Sequence, residues 1–340
     1  MKNFSKIILA ITIAAIAAWL LPWCYAFVTA KAYSSPFVLY SSLHGDFIIT
    51  QRDNVVSRHD TNGNEFDENE VDSLLPTMYM RQLVADGRFP DSILGKHVEP
   101  QQIQMTNFNF RSTPRDVNYV NAGIYFLFES MPKRVDLEMP DDAFRFTDNR
   151  IEFLSMADNS INEAKSDMFT RMLKEKGFTF PPRKIATNPD PRKEYDNGAL
   201  LIDASGQLFN LKCTAGRPYV KQIPLPDGII PCEAYVTEFR NRAYLGFFSA
   251  TDKSFYVIMS DGSIKKTGIK TFDPKTESAM IIGNMFDWTV KITRTDADEY
   301  YALRADDFSL IKELKINRPS SYVPGLSFTS PLNKYVIPHF

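Results

Sequence analysis

An all-β fold with helical insertions, β-propeller-like with about five or six blades and preceded by one amino-terminal transmembrane helix, is what the sequence predicts. Three observations carry this. Residues Ile7 to Ala30 form an uncharged apolar run with Lys2 and Lys6 before it and Lys31 after it. Most later segments alternate apolar and polar side chains, the period of half-buried strands. A strand-turn-strand unit rich in Asn, Asp and Gly returns along the chain, with turn centres at residues 63, 149, 206, 262 and 307.

The apolar run comes first. A helix rises about 1.5 Å per residue and a bilayer core is about 30 Å thick, so roughly 20 residues cross it. Residues 1–32 are therefore expected to be an uncut anchor. The alternative is a cleaved signal peptide ending at Ala30-Lys31-Ala32, but apolar signal cores run about 7–15 residues, and Trp23, Tyr25, Phe27 and Val28 prolong this one past Pro22. Trp19, Trp23 and Tyr25 suit an interfacial belt, and bulky Trp23 before Cys24 argues against a lipoprotein cleavage site. The positive-inside preference puts Lys2 and Lys6 in the cytoplasm. The expected location is thus the inner membrane, single-pass, with residues 33–340 extracytoplasmic (periplasmic).

Strands are expected at residues 37–40, 47–50, 124–128, 244–248, 254–258 and 288–292, where β-branched and aromatic residues dominate. Helical insertions are expected near 67–87 and 158–177. Asp67-x-x-Glu70 and Ser160-x-x-Glu163 have the form of capping boxes, with Pro76 interrupting the first run and Gly87 and Gly177 closing the two. A period of roughly 40 to 50 residues, about four strands each, signals propeller blades. One weaker copy is expected around Ile103 to Phe110, and the proline-rich stretch from Pro181 to Pro191 reads as a long inter-blade loop. An irregular β-sandwich with ordinary hairpins is the competing architecture.

Hydrophobic residues make up 44% of the chain and aromatic residues 13%, enough for a full core. The formal charge is −2, with acids and bases evenly scattered, so no field gathers nucleic acid. Cys213 and Cys232 are the pair outside the anchor, and either a disulfide between them or two buried thiols fits.

No motif carries a reaction. Asp60-x-Asn62-x-Asn64 opens like a calcium loop, but Glu65 stands where glycine is required and Val71 where the bidentate glutamate belongs. The four histidines lack zinc-site spacing, and no phosphate-cradling glycine loop occurs, so neither a metal, a nucleotide nor another cofactor is expected and no catalytic residue is assigned. Asp141-Asp142, Asp306-Asp307 and Asp296-x-Asp298-Glu299 offer paired carboxylates for glycoside chemistry, which requires two carboxyls about 5–9.5 Å apart. Solvated turns are the plainer reading. Trp288 is an alternating strand aromatic, expected in the core.

Several strings together resemble an uncharacterised family of bacterial single-span membrane-anchored proteins that accompany ABC-type transporter components. They are residues 73–83 (SLLPTMYMRQL), Leu127-Phe128-Glu129-Ser130, Asp142-Ala143-Phe144-Arg145-Phe146, Lys193-Glu194-Tyr195-Asp196-Asn197-Gly198, and Leu208-Phe209-Asn210-Leu211-Lys212 followed by Gly216-Arg217-Pro218. The resemblance covers about residues 35 to 220 and carries no site residues. It implies an exported domain working beside inner-membrane transporter subunits. The expected function is a non-enzymatic accessory or binding protein, its contact surface at the insertions around 67–87 and 158–192. The alternative is an exported enzyme acting on a saccharide or cell-envelope polymer with carboxylates in a central pocket.

Overall fold

The computed structural model describes residues 2–29, 33–52 and 55–318, together with two short strands, Ser327–Thr329 and Ile337–His339. Lys2–Thr29 is one helix running through Pro22. Its segment Asn3–Leu21 has a mean hydropathy of 2.2, and none of it is buried against the rest of the chain. It is long and apolar enough to cross a membrane.

Strands dominate the chain beyond this helix. Phe37–Ser41, Asp46–Arg52 and Val56–His59 form a three-stranded sheet, and Asp142–Phe146 with Ile151–Ser155 form a hairpin. Lys184–Ala186, Ala199–Ile202, Leu208–Thr214 and Arg217–Ile223 make a four-stranded antiparallel meander. Pro231–Val236, Tyr244–Ala250, Phe255–Met259 and Ile264–Lys266 make another. The last large sheet runs Ser278–Gly283, Asp287–Thr293, Ala297–Arg304 and Leu310–Asn317, with Phe108–Ser112 as a fifth strand beside Ser278–Gly283.

These sheets stack face to face in a fixed order, because successive side chains of a strand point to opposite faces. In Ala199–Ile202 all four residues are buried, but Ala199 and Leu201 pack with Phe144, Phe153 and Phe169, whereas Leu200 and Ile202 pack with Leu245, Phe248 and Ile258. In the next sheet Phe247, Phe255 and Val257 turn instead toward Trp288, Val290 and Leu303. Tyr300 and Ala302 pack against Val38, Tyr40 and Phe47. The order of layers is 142–155, 184–223, 231–266, 278–317 and 37–59. Central strands such as Ala199–Ile202 and Tyr244–Ala250 are therefore buried on both faces, and each fully buried Leu or Phe contributes about 1.5–3 kcal/mol.

The five predicted turns are present, and the chemistry of two is identical. Asp60 and Asp203 each accept a backbone N–H four residues on, from Asn64 at 2.9 Å and Gln207 at 2.8 Å. Gly63 and Gly206, both at φ 87°, supply the left-handed residue. The turn at 149 joins 142–146 to 151–155, the turn at 262 joins 255–259 to 264–266, and the turn at 307 joins 297–304 to 310–317. Around residue 63 the chain returns as a single bridge, His59 to Glu65.

Several expectations change. Of the five stacked sheets three contain a four-stranded antiparallel meander, the last with a borrowed fifth strand, while the other two have three and two strands, and no closed ring is seen among the described residues. The reason lies at the two ends of the stack. The outer side of the 142–155 hairpin carries Arg145 and Glu152, tied with Arg150 and Glu163 into a charged network, a surface for water. The outer side of 37–59, Leu39 and Ile48, is covered by Val71 and Leu75 of the first insertion. The weak copy near 103–110 is a helix, Pro100–Thr106, followed by the borrowed strand Phe108–Ser112. Residues 124–128 form only a bridge from Tyr125 to Phe144, because the segment straps two layers together, its far end bridging Glu129 to Cys213. The proline-rich loop contributes the edge strand Lys184–Ala186.

The first insertion holds helices Glu68–Leu74 and Met80–Ala85, with the capping box of Asp67 and Glu70 in place. The second holds Glu163–Glu175, whose cap is Asn162, not Ser160: the Asn162 side chain accepts from the N–H of Lys165, while Ser160 bonds Asp158.

Candidate functional site

A cleft of about 340 Å³ opens where the first insertion meets the 37–59 and 278–317 sheets. Its apolar walls are Leu39, Tyr40, Leu75, Met78, Phe108 and Ile282, and its polar side is Thr77, Asn107, Asn109, Asn284, Asp287 and Thr289. The volume lies at the small end of the range typical of ligand sites, which combine apolar walls with a few convergent polar groups.

Local sequence explains how each wall is held. Asn107 ends the helix Pro100–Thr106 with an extended backbone, its N–H still bonded to Ile103 at 2.9 Å, and so passes the chain directly into the strand Phe108–Ser112. Its side-chain amide donates to the carbonyl of Thr77 at 2.7 Å, latching the insertion to the sheet edge. That leaves Oδ1 buried without a partner among the described residues. Phe108 pairs with Gly283 across the edge and stands against Trp288 edge-on at 5.0 Å. A Cβ on Gly283 would lie 2.3 Å from the Phe108 ring, so the glycine is what lets this wall stand where it does.

Asp287 starts the next strand and is 4% exposed. Asn284 organises the turn before it: Oδ1 accepts from the N–H groups of Phe286 and Asp287, and Nδ2 donates to Asp287 Oδ1 at 3.1 Å. Ser42, in the first hairpin turn, donates to Asp287 Oδ2, and Thr289 Oγ1 accepts from the N–H of Tyr40 at 2.9 Å. These two contacts fasten the sheets together at the cleft. Burial pushes the Asp287 carboxyl up to about 6, only partly offset by Ser42 and Asn284.

A second concentration of charge is closed. Lys193 Nζ sits 2.6 Å from Asp196, 3.1 Å from Glu238 and 2.8 Å from the carbonyl of Asn188, above the Phe128 ring. Its three donors are spent and all three charged side chains are buried, so the string 193–198 pins a loop rather than presenting a site.

The residues singled out by sequence scatter. Cys213 and Cys232 stay separate thiols on different sheets: the first donates to Glu129 at 3.5 Å, and burial raises both above the usual thiol range. Asp60 is saturated by Asn62, Asn64 and His44, which explains its incomplete calcium pattern. Among the described residues no cluster of His, Cys, Asp and Glu has a metal-binding arrangement. At least one acid of each pair is taken: Asp142 by Lys165, Asp306 by Arg304, Glu299 by Arg294, and Asp298 by Lys291 and Arg318. None of them lines the cleft. Trp288 is fully buried, as expected. Sequence reasoning missed Asn107 and Asp287, because neither stands in a motif; the string 73–83 does border the cleft, through Leu75, Thr77 and Met78.

Stacked antiparallel sheets, an apolar amino-terminal helix and one open amphipathic cleft define the class of protein. Residues 37–303 match the family described as domain of unknown function (DUF4857), and the chain belongs to that family. A search of curated proteins finds no match. Among solved structures the chain is similar to the Dos1 propeller, at 10% identity and a TM-score of 0.30 over 52% of this chain and 45% of that one. It is also similar to PorZ, described as an essential surface component of the type-IX secretion system of Porphyromonas gingivalis, at 10% identity and a TM-score of 0.26, over 87% of this chain and 34% of that one. A third is the dihydro-heme d1 dehydrogenase NirN, at 10% identity and a TM-score of 0.25, over 73% of this chain and 64% of that one. The chain thus spans less than two thirds of each of these proteins, and likenesses this slight carry no argument about what it does.

Proposed function

We propose that this protein is a non-enzymatic accessory or binding protein, held at the inner membrane by its amino-terminal helix, with the β-sheet domain on the extracytoplasmic side beside an ABC-type transporter. The observation that carries the reading is the helix itself: an apolar segment with no part buried against the domain has no partner in water, and a bilayer supplies one. The stacked layers are read as propeller blades, a rigid scaffold on which insertions present contacts at little ordering cost. The first insertion supports this role, because Met78, a wall of the cleft, and Val84 of the same insertion are both exposed. Met side chains adapt readily to a partner.

Two measurements test it. A phosphatase reporter fused after Phe340 is expected to be active only outside the cytoplasm; activity confined to the cytoplasm overturns the orientation. Affinity purification of the intact chain from gently solubilised membranes is expected to recover a transporter permease or ATPase subunit, and recovery of no membrane partner overturns the accessory role.

A further inference from the structure

The polar side of the cleft is unbalanced. Two of its amide donors are committed, Asn107 Nδ2 to the carbonyl of Thr77 and Asn284 Nδ2 to Asp287, while exposed Asn109 carries a third amide. The buried acceptors have room left. Asn107 Oδ1 is buried and unpaired, and each Asp287 carboxylate oxygen has one side-chain partner where its lone pairs have room for two. No Lys, Arg or His lines the cleft, so nothing there offsets a ligand's negative charge. Tyr40 and Phe108, each buried, contribute apolar wall to the cleft. An unpaired buried acceptor costs free energy until a donor reaches it, and a buried carboxylate until a positive charge does.

We infer that the cleft takes a small amphiphile with an apolar or aromatic body and a cationic N–H head, the head donating to Asn107 Oδ1 and the Asp287 carboxylate. The inference rests on the reading of the protein as a binding protein, and it deepens that reading by naming the ligand chemistry. An anionic ligand of the same shape meets the Asp287 carboxylate with no cationic side chain to offset its charge and binds more weakly. A neutral alcohol finds its hydrogen bond but no charge partner and falls between the two.

The test uses the full chain in phosphatidylcholine nanodiscs, with empty nanodiscs as the blank, titrated calorimetrically at pH 7.5. The probes are 4-phenylbutylamine, 4-phenylbutan-1-ol and 4-phenylbutyrate, which share one body and differ in the head. The amine is expected to bind at least tenfold tighter than the carboxylate, with the alcohol between. Asp287→Asn is expected to bring the amine down to the alcohol's affinity while leaving the alcohol within about threefold, and Thr77→Trp, which fills the mouth, to abolish binding of all three. Carboxylate binding equal to or tighter than the amine's overturns the inference, as do an amine affinity indifferent to Asp287→Asn and the failure of every probe to bind wild type. Partner recovery from membranes is scored separately. If the probes fail while the partner is recovered, only the ligand inference falls; if the amine binds and no partner appears, the accessory reading falls instead.

Discussion

Asp287 is the residue whose chemistry departs furthest from its neighbours. Its carboxyl, raised by burial to about 6 against an ordinary 3.8, binds a proton in the folded state that the unfolded chain has already released. Stability linked to it is therefore fully present below about pH 4 and is lost as pH rises through about 6, a change of about 3 kcal/mol. Urea unfolding at pH 4.5 and 7.5 is expected to show this fall in wild type and to show it flattened in Asp287→Asn. Lys193 matters as an ion-pair partner. Its removal strands two buried carboxylates, so Lys193→Ala is expected to lower unfolding free energy by about 3–5 kcal/mol, read from the same denaturant curves. Asp287 did not announce itself in the sequence, and Lys193 did so only as the first residue of the string 193–198, with no role attached. Asp287 reads as an ordinary turn acid before a strand, and Lys193 as one charge in a polar loop; burial by distant segments made both.

At the scale of elements, the helix Glu163–Glu175 does more than cover a hydrophobic face with Phe169 and Leu173. Its Ser166 Oγ accepts from the N–H of Phe153 at 2.9 Å, and its Thr170 Oγ1 accepts from the N–H of Ile151 at 3.2 Å. The helix thereby completes the open edge of the 142–155 hairpin, which exposed would be an aggregation hazard. Ser166→Ala leaves the Phe153 N–H buried and unsatisfied and is expected to cost about 1–3 kcal/mol, with faster amide exchange along residues 151–155 as the diagnostic. The sheet edge at the cleft makes a complementary prediction. Gly283→Ala forces the Phe108 ring to move and is expected to cost about 1–3 kcal/mol and to weaken ligand binding at the cleft, measured by the same titrations. Helix periodicity and capping residues made the two insertions legible in the sequence, yet the Ser160 box lost to Asn162 because Ser160 is drawn into the turn with Asp158.

For the whole molecule, the chain returns to the segment after its amino-terminal helix. Ser35 donates to Asp298 at 2.6 Å, Tyr33 reaches the same carboxylate, and Arg318 and Lys291 pair with it, so the residues nearest the helix are tied to the last large sheet. Asp298→Ala is expected to release this segment, read as new chymotryptic cleavage after Tyr33, while the uncleaved wild type resists. The apolar amino-terminal helix, the strand-rich character, the recurring turns and the first insertion were written in local patterns: charge-free length, two-residue alternation, glycine at positive φ and a capping box. These depend on neighbours a few residues apart, and one sequence is enough to display them. The borrowing of residues 108–112 by a sheet about 170 residues away, the order of the layers and the cleft itself depend on which surfaces meet. That is decided by the competition of all the apolar faces for one another, and only the tertiary structure records its outcome.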